Sequence, residues 1–272
     1  MKWKIAMAQL SECDDWKVNV KKAEGMIRDA KAQGASMAVF PECFMQVFPK
    51  GTPSDVIIES AQSTDGPFVT EMKELASEYG MWLVFGMVEK IPDDDQHTKN
   101  TVIVTDDAGI VRDVYSKTHL FDSFGYKESK HVASGDELFT PIDTPFGKMG
   151  LFVCFELRFP EVARLQALSG ADFIVMPTAW VKGEQKSHQL HTLLEARAME
   201  NEVWIACCDR CGGVSLGESA LVSPLGNEIA LAGADEELLI GEIDTEPQQK
   251  IRETLPAFKC RRADLYTLEK TE

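Results

Sequence analysis

No stretch of this sequence is apolar for long enough to cross a membrane. The longest strongly apolar run lies near Met81–Val88 and already contains Gly86, well short of the ~20 residues a helical span needs. Positive charge is also scarce. Lys and Arg number 28 against 44 Asp and Glu, a formal net charge of −16. Binding to nucleic acid or to an anionic membrane surface needs clustered Lys and Arg, so neither is expected as a partner. Residues 1–10 hold too short an apolar core for a secretory signal, and no small-residue cleavage site. The seven cysteines are odd in number and widely spaced, which is no disulfide framework. The expectation is a cytoplasmic chain with reduced thiols. Glycine-rich phosphate loops are missing, so nucleotide chemistry is not indicated. No linker interrupts the chain, and residues 1–272 are expected to form a single domain.

What is present is ordinary globular material: 44% hydrophobic and 26% charged residues, proportions that exclude disorder, collagen and coiled coil. Trp3–Gln9 reads as a strand. Val20, Ala23, Met26, Ile27 and Ala30 recur at helical spacing, which predicts a helix over residues 16–33 that Gly34 stops. Met37–Phe40 is a continuous apolar run ending at Pro41-Glu42. Phe68, Met72, Leu75, Ala76 and Tyr79 form a second helical stripe, stopped by Gly80. Strands are expected at Met81–Val88, Thr101–Thr105, Ile110–Tyr115, Met149–Cys154, Phe173–Met176, Val203–Cys207, Ser219–Ser223 and Leu238–Ile243. Helices are expected from Pro160 to Gly170 and at His188–Glu200. This alternation implies a mixed α/β fold, and runs without polar alternation imply strands covered on both faces. Residues 34–41 and 170–177 resemble each other as helix–Gly–strand–Pro units, which suggests two related halves packed face to face.

Cys154 is the first candidate for chemistry. It ends an apolar strand and leads into Phe155-Glu156-Leu157-Arg158-Phe159-Pro160. A cysteine of this kind is usually core filler, but a strand–turn–helix setting presents a side chain as a nucleophile elbow does. A helix N-terminus and nearby cations would lower its pKa. Its partners are sought among carboxylates, because the five His lie in polar or charged segments. Glu42 follows the Met37–Phe40 strand, and Lys117 follows the Ile110–Tyr115 strand. If these strands shared a sheet with aligned ends, Glu42, Lys117 and Cys154 would converge where α/β sheets place their sites.

Three segments carry a family resemblance: Phe40-Pro41-Glu42, residues 115–122 (Tyr115-Ser116-Lys117-Thr118-His119-Leu120-Phe121-Asp122) and residues 154–161 from Cys154 to Glu161. Their order and spacing resemble the three signature blocks of the nitrilase superfamily of carbon–nitrogen hydrolases, closest to the omega-amidase and deaminated-glutathione-amidase branch. The likeness extends to Glu128-Ser129, residues 196–201, residues 223–226 and residues 262–266, nearly the whole chain. It implies a four-layer α-β-β-α sandwich, pairing into homodimers or higher homo-oligomers, and a Glu42–Lys117–Cys154 triad with Glu128 beside it. Two departures stand out. Phe155-Glu156 replaces the Tyr-Asp of many relatives, which removes a phenol and adds a methylene that could shift the turn. Gln189-Leu190 stands where amidase relatives often carry His-Trp.

The implied reaction is hydrolysis of a small, carboxylate-bearing primary amide through a cysteine thioester, with no metal and no cofactor. Glu42 would act as base, with burial raising its pKa toward the working pH. Lys117 and the Phe155 backbone N–H would hold the oxyanion. Arg158 and Trp180 are candidate substrate contacts, although Arg158 reads more simply as an ion pair with Glu156 or Glu161. His191 keeps an N-carbamoyl amino acid or amine hydrolase open as an alternative. Two further readings compete: a thiol or zinc site on Cys208 and Cys211, and a non-catalytic binding protein of the same fold.

Overall fold

The computed structural model describes residues 1–49 and 51–270. Its strands are β1 (Lys2–Gln9), β2 (Ala35–Val39), β3 (Trp82–Lys90), β4 (Thr98–Thr105), β5 (Val111–Ser116), β6 (Asp122–Ser123), β7 (Tyr126–Lys127), β8 (Val132–Ala133), β9 (Ile142–Thr144), β10 (Gly147–Leu151), β11 (Phe173–Thr178), β12 (Trp204–Asp209), β13 (Ala220–Val222), β14 (Glu228–Leu231) and β15 (Glu237–Asp244). The helices are α1 (Trp16–Ala32), α2 (Ser54–Ser60), α3 (Pro67–Tyr79), α4 (Pro160–Leu168), α5 (Lys186–Asn201) and α6 (Thr245–Thr254). The stop signals act as their chemistry requires. Gly80 closes α3 in the left-handed conformation at φ 54°, which glycine adopts without steric cost. Asp15 caps α1 by accepting from the Lys17 N–H at 2.9 Å.

Two sheets carry the fold, in the orders β15-β1-β2-β3-β4-β5, with β8 beside β4, and β14-β13-β12-β11-β10-β9. Both are built alike. Three parallel strands lie at the centre, β1-β2-β3 and β10-β11-β12. An antiparallel strand precedes each trio, and an antiparallel hairpin follows it. The repeat between residues 34–41 and 170–177 thus marks the middle strands of two matching half-folds. One detail differs from expectation. Pro41 lies beyond β2, but Pro177 sits inside β11 opposite Cys208. There the strand continues to Thr178 despite the missing N–H.

Alternation sorts the first sheet into two cores. Ile5 and Met7 of β1 face one apolar cluster, whereas Ala6 and Ala8 face another with Val20, Ala23 and Ile27 of α1 and Phe68 and Met72 of α3. Trp3 crosses to the second sheet, stacking on Phe146 at 4.6 Å and meeting Phe173 edge-on at 5.1 Å. Every residue of β11 and β12 is buried. Val162 and Ala163 of α4 and Leu190 and Leu194 of α5 cover their far side. The layers are therefore helix, sheet, sheet, helix. A one-residue slip in β1 would exchange the two cores, so the pattern fixes the register. Sequence reading missed α2, α6 and β14, which are short or polar on their exposed faces.

Candidate active site

The triad residues do not share a sheet, contrary to expectation. Glu42 follows β2 and Lys117 follows β5 in the first sheet, whereas Cys154 follows β10 in the second. They meet because the sheets pack face to face, and a backbone bond from Glu42 N to Thr178 O at 3.4 Å crosses between them. The Glu42 turn lies so close to β3 that a Cβ on Gly86 would come within 2.5 Å of Cys43 N. Only glycine fits that position.

Lys117 Nζ sits between two carboxylates. It donates to Glu42 Oε1 at 2.8 Å and to Glu128 Oε2 at 2.9 Å. Asn100, on β4, donates from Nδ2 to the same pair, at 2.7 Å to Glu42 and 3.1 Å to Glu128. Sequence reasoning missed Asn100. The signal was only a polar residue in an apolar strand, and nothing local tied it to carboxylates far away in the chain. The second Glu42 oxygen accepts from the Ala179 N–H at 3.1 Å, and Glu128 Oε2 accepts from the Phe121 N–H at 2.6 Å. All five groups, Cys154 included, are buried.

Electrostatics differ from the sequence-based expectation at two of them. Burial works to raise the Glu42 pKa, but the charge and hydrogen bond of Lys117, with bonds from Cys154 and Asn100, outweigh it and hold Glu42 below its ordinary value. Glu42 is thus ionised at neutral pH, its pKa held down rather than raised toward that value. Cys154 is pushed well up, first by burial and then by the Glu42 charge, with Lys117 only partly opposing. The resting sulfur therefore keeps its proton. Burial works to lower Lys117, yet Glu42 and Glu128 hold it well above its usual value, so it stays charged.

Cys154 opens a 3-10 turn, Cys154–Arg158, with φ at +46°. A non-glycine residue in the left-handed region is strained, as expected for a side chain held on a sharp elbow. The Phe155 N–H follows in the first turn, where backbone donors have no partner within the helix.

Glu156 clamps this turn to the first sheet. Its Oε2 accepts from Val153 N at 2.7 Å, while Oε1 accepts from Tyr115 Oη at 2.7 Å, Thr118 Oγ1 at 2.6 Å and Thr118 N at 3.0 Å. Burial would raise this carboxyl, but donors from His119, Thr118, Tyr115 and Val153 hold it low. The longer side chain thus reaches both flanks of the site. Glu156→Ala would orphan several buried donors, at about 1–3 kcal/mol each. A fall in Tm together with a fall in kcat is expected, read by thermal melting and steady-state assay.

The remaining candidates divide. Arg158 forms no ion pair with Glu156 or Glu161 among the described residues. Instead its Nη2 donates to Gln189 Oε1 at 2.8 Å, its guanidinium lies 4.8 Å from the Trp180 ring centroid, and its buried Nε has no partner among the described residues. The ion-pair reading is corrected because α5 brings Gln189 to it. Trp180 is buried, held by its N–H to Asp209 Oδ1 at 2.8 Å and by its indole to Lys186 O at 3.0 Å. His191 turns elsewhere. Its Nε2 meets Glu218 at 3.0 Å and its Nδ1 meets Glu228, so both nitrogens are taken and the carbamoyl argument built on it loses its residue. Cys208 lies at the end of β12 and opens no helix. Burial pushes its thiol well up and that of Cys211 to about 11, the reverse of a redox pair.

The carbon-nitrogen hydrolase family model matches residues 4–253. The chain belongs to the carbon–nitrogen hydrolase family. It is 30% identical to a deaminated glutathione amidase of Escherichia coli O157:H7 over 258 residues, covering 95% of this chain and 97% of the relative. It is 32% identical to the omega-amidase NIT2 of Homo sapiens over 278 residues, covering 98% of each. A nitrilase and fragile histidine triad fusion protein of Caenorhabditis elegans is 33% identical over 279 residues, and the chain spans 98% of its own length but 62% of that protein's. The crystal structure of that protein superposes with a TM-score of 0.92 at 33% identity, over 100% of this chain and 68% of the other. The chain is therefore a nitrilase-superfamily enzyme with the α-β-β-α sandwich, and the reading as a non-catalytic binding protein is set aside.

Proposed function

We propose that this hydrolase cleaves small primary amides whose acyl chain carries a carboxylate, releasing ammonia through a thioester on Cys154. The observation that carries the reading is the buried Glu42–Lys117–Glu128 constellation facing the Cys154 thiol. Glu42, ionised beside the protonated sulfur, takes the proton as sulfur bonds the amide carbon. The ammonium of Lys117 has three donors. Two are held by Glu42 and Glu128, and the third, with the Phe155 N–H, receives the oxyanion. Such a donor lowers the barrier by roughly 3–4 kcal/mol. Glu42 returns the proton to nitrogen, the C–N bond breaks and ammonia leaves. Glu42 then takes a proton from water, which attacks the thioester. The C–S bond breaks, Glu42 passes that proton to the leaving sulfur, and the acid departs with the thiol restored. Asn100 and Glu128 keep Glu42 and Lys117 in register.

The substrate end of the proposal rests on Arg158, a partly buried cation without a carboxylate partner among the described residues, beside the indole of Trp180. The amidase names of the relatives support the same choice. The test is ammonia release from omega-amides of dicarboxylates, deaminated glutathione, N-carbamoyl amino acids and plain aliphatic amides. Carboxylate-bearing amides are expected to give the highest kcat/KM. A preference for N-carbamoyl amino acids or for plain amides would contradict the proposal.

A further inference from the structure

Lys186 belongs to none of the signature segments, yet it opens α5 beside the site and is 8% exposed. Its side chain has no carboxylate partner and donates no hydrogen bond among the described residues. Aromatic faces stand in for a counter-ion. Nζ lies 3.7 Å from the Phe124 ring centroid and 5.8 Å from those of Phe121 and Trp180. Phe124 is held there at a cost. It is 74% exposed and sits at φ +52° in the two-residue turn joining β6 to β7, followed by Gly125 at φ +80°. Such turns favour Asn, Asp or Gly at that position, not a bulky aromatic left in water.

The backbone presents Lys186 as deliberately as the rings receive it. Gln185, just before it, is also left-handed at φ +61°. A Cβ on Gly183 would press on Lys186 Cγ at 3.2 Å. The Lys186 carbonyl accepts the Trp180 indole N–H, which ties it to the ring that Arg158 covers on the nucleophile's flank. Two cations without carboxylate partners among the described residues therefore share one aromatic wall beside Cys154. Burial lowers the Lys186 pKa, and the nearby Arg158 charge lowers it further. Adjacent like charges in a partly buried site repel, and an anion placed between them removes the repulsion.

We propose that Lys186 is a specificity-determining residue that joins Arg158 in binding the anionic end of the substrate's acyl chain. Without substrate its ammonium rests on Phe124. With substrate it turns to a carboxylate that Arg158 also holds, so the enzyme selects amides by terminal charge. This deepens the proposed function and rests on it. It adds a residue that the family motifs do not carry.

The test compares glutaric and succinic acid monoamides with their uncharged isosteres, pentanamide and butanamide. The ratio of kcat/KM for the charged amide over its isostere is measured in wild type, Lys186→Met and Lys186→Arg. Methionine keeps the alkyl stem and most of its packing. The expected result is a fall of about 10–100-fold in the ratio for Lys186→Met, carried mainly by KM, with substantial recovery in Lys186→Arg. A ratio within twofold of wild type in Lys186→Met overturns the assignment. Binding of glutarate, measured by calorimetry, decides independently of turnover. If wild type hydrolyses none of the four amides, the amidase reading fails. Loss of glutarate affinity in Lys186→Met would still uphold the anion site, and unchanged affinity would overturn it.

Discussion

Replacing Cys154 with alanine is expected to lower kcat for every amide substrate by at least about 10⁴-fold, while the protein stays folded. Removing a nucleophile from a site that works as a unit costs nearly the whole of its covalent catalysis. The fold should tolerate the change for three reasons. The side chain is small, its thiol is neutral at rest, and alanine introduces no unpaired charge. Alanine withdraws the Cys154 bond to Glu42, but Lys117, Asn100 and the Ala179 N–H still hold that carboxylate. Ammonia release and a melting curve on the same preparation separate the two effects. Turnover close to wild type in Cys154→Ala would remove the thioester from the mechanism.

Lys117→Met is expected to do damage of both kinds. Catalytically it removes an oxyanion donor, worth about 10²–10³ in kcat. Structurally it leaves Glu42 and Glu128 facing each other in a buried site with only Asn100 between them. Breaking a buried pair by removing one partner typically costs about 3–5 kcal/mol, and at this chain length each kcal/mol moves Tm by roughly 2–4 °C. The pH dependence carries a definite sign. In wild type, Lys117 is raised, so its contribution is fully present below the ordinary lysine value and is lost only as pH rises through the still higher folded value. Glu42 is lowered, so its contribution is present above the ordinary carboxyl value and is lost as pH falls through the folded one. The wild-type pair therefore holds across neutral pH. Without the lysine, the two buried carboxylates repel each other, and the variant should recover stability relative to wild type as pH falls. Melting curves at pH 5 and pH 8 measure this, and an equal loss at both values would contradict the coupling.

Much of this site was legible because its residues sit where chain patterns end. Glu42 follows an apolar run broken by Pro41, Lys117 ends a hairpin, and Cys154 ends a buried strand. Those boundaries come from local chemistry, and the structure keeps them within a few residues. The sheet assignment was not legible, because uninterrupted apolar runs such as those of β2 and β11 say that both faces are covered and not by which sheet. The helix–Gly–strand–Pro repeat was the better guide, and it appears as two half-folds of matching strand order. Asn100 and Lys186 escaped for a related reason. Each takes its role from partners distant in sequence: Glu42 and Glu128 in one case, and Phe121, Phe124 and Trp180 in the other. The directions of the Glu42 and Cys154 shifts also depend on the full buried network. Burial alone predicts a raised Glu42, and it takes the charge and hydrogen bond of Lys117, with bonds from Cys154 and Asn100, to reverse it. Glu156 is a milder case. The added methylene invited concern about the turn, whereas its reach to Val153, Tyr115 and Thr118 is what binds the two sheets at the nucleophile.

The most direct measurement is mass analysis of enzyme quenched in acid during turnover of glutaric acid monoamide. The account predicts that the peptide containing Cys154 gains the mass of the acyl group, with ammonia lost. The gain should disappear in Cys154→Ala and on treatment with hydroxylamine, which cleaves thioesters. Ammonia release at the wild-type rate from Cys154→Ala, or an acyl group on any other residue, would contradict it.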